Sequence, residues 1–151
     1  MILAALLLVQ AAAAAPVCPA VPPRLPAELA GWRTSATDLA AMKAVTVPTM
    51  NPATVRLADV PPPKEPGRMA LSTFRVKTAG TYGVALGSKG WIDLYRVGDR
   101  TPLTAVKHGH GPACSGIRKI VRFTLTPGEY RVVVGGLEGA TAKLMLVRGH
   151  R

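Results

Sequence analysis

The sequence predicts an all-β fold, an antiparallel two-sheet sandwich of jelly-roll-like form with about seven to nine strands. Three observations lead there. From residue 69 onward, short stretches of alternating apolar and polar residues recur with a turn signal roughly every 8–12 residues. Helix-period patterning is nearly absent. With 15 glycines and 14 prolines in 151 residues, the chain is also punctuated too often for long helices.

Taken in order, residues 1–15, MILAALLLVQAAAAA, carry no charged side chain and run apolar into an alanine tract. That is the pattern of a secretory signal peptide, and it is shorter than the roughly 18–20 apolar residues of a spanning helix. The expectation is a cleaved leader and a periplasmic or secreted protein. Residues 16–42 read as a proline-rich arm. Its first part, PVCPAVPPRLP, suits neither a helix nor a central strand. Its second part holds the one helix-compatible stretch, with Thr37 as N-cap before Asp38 to Met42. Cys18 follows Ala15-Pro16-Val17, a poor lipobox because proline stands where a small or aliphatic residue belongs.

The sandwich is expected over residues 43–151. Weaker strands are read at 43–48 and 53–58, and the proline cluster VPPPKEPG at 60–67 as an exposed loop between two halves. Strands follow at 69–76, 81–87, 91–97, 103–107, 117–125, 129–135 and 142–148. Alternation puts Val121, Phe123 and Leu125 on one face, and sets Ile92 and Leu94 opposite Trp91, Asp93 and Tyr95. An internal echo accompanies the pattern. Thr78-Ala79-Gly80-Thr81-Tyr82 recurs as Thr126-Pro127-Gly128-Glu129-Tyr130, each a glycine-containing hairpin turn leading into a strand whose first inward residue is tyrosine.

Charge bounds the partners. Nineteen Lys and Arg against eight Asp and Glu give a formal charge of +11. Such a protein attracts polyanions, and outside the cytoplasm these are anionic polysaccharides and membrane surfaces. The basic residues are scattered and aromatics make up 5% of the chain, which argues against specific nucleic-acid recognition. Among the aromatics, Trp91 and Tyr95, with Arg118 and Lys119 nearby in the pattern, form the candidate ligand-binding set; core packing is the competing fate of such rings.

The stretch KHGHGPACSG at 107–116 is the most chemical in appearance. If a strand continues through it, His108 and His110 share a face and could hold a Zn, Cu or Fe ion with a third ligand. Cys114, Asp93, Asp99 and His150 are the candidates for that ligand. The competing reading is a glycine-rich loop stapled by a disulfide. Only two cysteines exist, and an oxidising compartment favours pairing Cys18 with Cys114. That bridge would close a loop of roughly 95 residues, contributing about 4 kcal/mol. Catalysis finds little support: Ser115 lacks a nucleophile-elbow setting, and no glycine-rich loop leads into a helix that could cradle phosphate.

Two resemblances bear on these residues. The run FRVKTAGTYGVAL, then WIDLY, then VRFTLTPGEYRVVV, resembles bacterial pre-peptidase C-terminal-type β-sandwich modules over about residues 69–148, with Asp93-Leu94-Tyr95 in the place of their aspartate-leucine-tyrosine strand. That likeness implies a jelly-roll-like accessory or binding module. The HGHGPAC segment followed by GIRK resembles short exported bacterial proteins that carry the label homogentisate 1,2-dioxygenase. The dioxygenase itself is a far longer cupin with a two-histidine, one-glutamate iron site. Here the glutamates after His110 are Glu129 and Glu138, at turns of other hairpins. The expected function is therefore binding at an anionic glycan or lipid surface, without a cofactor. The alternative is a mononuclear metalloprotein or oxygenase-like enzyme centred on His108 and His110.

Overall fold

The computed structural model describes residues 13–149. Its eight strands are β1 (Ala44–Pro48), β2 (Arg68–Val76), β3 (Gly80–Leu86), β4 (Trp91–Arg96), β5 (Lys107–Gly109), β6 (Lys119–Leu125), β7 (Gly128–Leu137) and β8 (Thr141–Arg148). They form two antiparallel sheets, β1-β8-β3-β6-β5 and β2-β7-β4. β1 pairs with β8, β2 with β7 and β3 with β6, so the chain pairs in nested fashion while alternating between sheets. This is jelly-roll order, and the all-β two-sheet sandwich is as the sequence predicts.

Strict nesting would set β5 beside β4. Instead β5 lies against β6 in the other sheet, with His108 opposite Val121. The intervening residues explain why. Pro102 can donate no ladder bond, and only Leu103 reaches β4, donating from its amide to the Leu94 carbonyl at 2.7 Å. The strand expected at 103–107 is therefore reduced to a short one at 107–109. As a result β4 has a strand partner on one side only, and the sandwich is open along its other edge.

The inner faces carry the alternating residues. Val84, Leu86, Phe123, Leu125, Leu144 and Leu146 from the larger sheet meet Phe74, Leu94, Tyr130, Val132 and Val134 from the smaller in one buried cluster. Both outer faces are covered as well. The expected helix after Thr37 does not form: that stretch makes isolated bridges, Ala36 with Val45 and Ala41 with Leu146. A 3₁₀ segment, Ala27–Arg33, forms earlier instead and lays Leu29 and Trp32 on Ala85, Ile120, Met145 and Val147. The expected strand at 53–58 is also absent. A short 3₁₀ turn, Pro52–Thr54, capped by the Asn51 side chain, leads into a loop that covers the other outer face, burying Val60 against Met69, Tyr95 and Val133. The bidentate pair of Arg131 with Asp59, both contacts at 2.9 Å, ties that loop down. The arginine holds the Asp59 carboxyl below its usual range.

The echoed turns are corners between sheets rather than hairpins within one. Lys77–Ala79 carries the chain from β2 to β3 and Thr126–Pro127 from β6 to β7, and the two corners lie side by side because Val76 pairs with Gly128 and Gly80 with Leu125. In each, the tyrosine hydroxyl donates back to the carbonyl four residues upstream, Tyr82 to Thr78 and Tyr130 to Thr126, both at 2.7 Å. Both rings are buried. This satisfies the phenol and fixes the turn together, as a tyrosine corner does.

Candidate functional site

The open edge of β4 is where the chemically distinctive side chains gather. A cleft of about 370 Å³ runs between Trp91–Asp93 of β4 and the facing residues of β5 and β6. Its floor is apolar, built from Ile92, Leu103, Val121 and Phe123, and its rim is polar, with Asp93, His108, His110 and Lys119. A concave apolar floor with a few convergent polar groups is the general form of a ligand site.

Trp91 stands on the rim and is 52% exposed, the largest exposed apolar side chain among the described residues. It is nonetheless held in place. Its indole N–H donates to Asp93 Oδ1 at 3.1 Å, and the Lys119 ammonium stands 5.7 Å from the ring centroid. Lys119 is itself fixed, donating to the Gly90 carbonyl at 2.7 Å. An exposed ring in a fixed orientation is a preorganised stacking surface. Burial raises the Asp93 carboxyl above the ordinary aspartate range, against the hydrogen bond from Trp91, and the nearby Glu65 charge pushes the same way.

The other members of the expected binding set fall elsewhere. Tyr95 is 4% exposed beneath the 50–60 loop, and its hydroxyl is raised by burial. It packs rather than presents itself, because a loop read as a strand closes over it. Arg118 is exposed, but its contribution here is a carbonyl oxygen 3.1 Å from His110 Nδ1. Since a carbonyl can only accept, His110 Nδ1 is the donor in that bond.

His108 and His110 thus face one cleft, as their i, i+2 spacing predicts. Of the third ligands considered, Cys114 is bonded to Cys18, with 5.5 Å between their Cα atoms. His150 lies outside the described residues, as does most of the expected signal segment at 1–15. Asp93 lines the same cleft but does not close a cluster. Among the described residues no three His, Cys, Asp or Glu side chains converge as a metal site would require. The disulfide also removes the Cys18 thiol as a lipidation point. Cys114 itself sits at φ +58° in a tight turn, where Ser115 N–H donates to the Pro112 carbonyl at 3.1 Å.

Sequence reasoning missed the architecture that makes the cleft. It read 103–107 as a strand, which would have covered the edge of β4; Pro102 was the available signal against that. No helix among the described residues is long and apolar enough to cross a membrane. No family model, curated protein or solved structure matches this chain, so the reading of the site rests on its own residues.

Proposed function

We propose that this is an exported, disulfide-stapled β-sandwich module that binds acidic polysaccharide at the open edge of β4. The observation that carries the reading is Trp91: half exposed, oriented by Asp93 and Lys119, and placed on the rim of an apolar-floored cleft. A pyranose ring has an apolar face that stacks on an indole and an edge of hydroxyls that need donors and acceptors. Asp93, His108 and His110 supply these beside the ring. The charge of +11 draws a polyanion to the molecule, and Lys119 offers a fixed cation next to the stacking surface. A lipid surface is the weaker alternative, because the remaining exposed large apolar side chains among the described residues are four valines, Val17, Val21, Val97 and Val106, rather than a membrane-sized patch.

Net charge alone retains a basic protein on an acidic polymer, so the test must separate stacking from charge. Binding to immobilised polygalacturonate should weaken with salt, and Trp91→Ala, which leaves the charge intact, should weaken it about tenfold at fixed ionic strength. Equal retention of the variant and the parent would overturn the reading. So would binding of both to anionic phospholipid vesicles in preference to the polysaccharide.

A further inference from the structure

Trp91 and Lys119 line not one recess but two. Besides the cleft between β4, β5 and β6, a second recess of about 490 Å³ shares these two side chains and is otherwise lined by Glu65–Gly67, Lys89–Gly90 and Gly136–Glu138. The two are of comparable size, about 370 and 490 Å³, and they meet at the same ring and the same ammonium.

The second recess carries more charged side chains than the first. Lys89, Lys119, Glu65 and Glu138 all line it. Glu65 Oε2 is buried with no hydrogen-bond partner among the described residues. Gly136, at φ +69°, lets the backbone close the recess from below, where a Cβ would press on the Glu65 side chain.

A compact ligand would need one such recess. Two recesses that share a single aromatic ring fit a polymer that passes over the ring and continues into both. Resting on the glycan reading above, we propose that the protein grips an internal stretch of a linear acidic glycan. One sugar unit stacks on Trp91 while its neighbours occupy the His108/His110 cleft and the Glu65/Lys89 recess. Chain ends are not required, and affinity comes from consecutive units rather than from one.

A ladder of galacturonic acid oligomers, titrated into the disulfide-bonded protein, tests this. The readout is protection of tryptophan fluorescence from a soluble quencher. Trp32 is 3% exposed and contributes little to quenching, so the signal reports on Trp91. The dissociation constant should fall about tenfold or more between the dimer and the hexamer and then level off. Lys89→Glu, at an exposed loop position, should erase most of the difference between hexamer and dimer. A dimer that binds as tightly as the hexamer overturns the two-recess proposal while leaving the glycan reading in place. The same holds if Lys89→Glu weakens every length by one common factor. Failure of every oligomer to protect Trp91 overturns both.

Discussion

At the scale of single residues, the two tyrosine corners show how one side chain can hold a turn and fill a core at once. They are not equivalent. Tyr82 makes a single bond, to the Thr78 carbonyl. Tyr130 donates to Thr126 O, accepts from the Thr126 amide at 3.2 Å and from Arg96 Nη2 at 3.2 Å, and stacks on Phe74 with ring centroids 5.7 Å apart. Removing a hydroxyl that holds several partners costs more than removing one with a single partner, because more hydrogen bonds are lost together. Tyr130→Phe should therefore destabilise the fold by about 1–3 kcal/mol, and Tyr82→Phe by about 0.5–1.5 kcal/mol. Urea denaturation of the two variants checks the order; equal losses would mean that the extra bonds of Tyr130 contribute nothing. The Thr-x-Gly-x-Tyr echo was legible in the sequence, but its meaning was not. Nothing in the local pattern distinguishes a hairpin from a corner, since both need a glycine turn before an inward tyrosine.

At the scale of elements, strands that bury one face were the legible part of the fold. Residues 69–76, 81–87, 91–97, 129–135 and 142–148 each contain a strand close to the expected bounds, because period-two alternation follows directly from which face is buried. Segments whose conformation is set by what they cover were not legible. Ala27–Arg33 and the 50–60 loop have no period of their own; each takes its shape from the outer face of the sheet beneath it. The arm shows how tight that fit is. Gly31 is buried, and a Cβ there would overlap the Met42 carbonyl, which lies at a left-handed turn with φ +63°. Glu28 meets Arg122 at 3.5 Å and Lys143 stands 4.8 Å from the Trp32 ring centroid, so the docked arm is fixed on both sides. Gly31→Ala must lift the segment from the sheet. It should cost about 2–4 kcal/mol and raise the quencher accessibility of Trp32, with the strands intact by circular dichroism. A variant with wild-type stability and a shielded Trp32 would show that the arm is not held where it lies. The candidate site divides in the same way. His108, His110, Trp91 and Lys119 were named from residue type and spacing, whereas their meeting depends on β5 leaving β4, which only the fold reveals.

At the scale of the whole molecule, the disulfide connects the two ends of the argument. Cys18 and Cys114 are 96 positions apart, so the bridge encloses the arm, both outer covers and the first five strands. A link across that much chain restricts the unfolded ensemble strongly, by about 4–5 kcal/mol in the chain-entropy account. It also has a local consequence. Cys114 lies three residues before Ile117, which packs with Leu29 and Trp32 under the arm, and four after His110 on the rim of the cleft. The bridge therefore holds one end of the loop that carries the histidines. A Cys18→Ser/Cys114→Ser variant should lose roughly 10–20 °C in melting temperature, the scale expected for about 4 kcal/mol in a domain of this size. Its β-sheet signature should remain, because the inner core of both sheets is independent of the bridge. Treating the parent protein with reductant should produce the same shift. If the shift is only a degree or two, the arm is held by its contacts on the sheet, and the bridge adds little to what Leu29, Trp32 and Ile117 already provide.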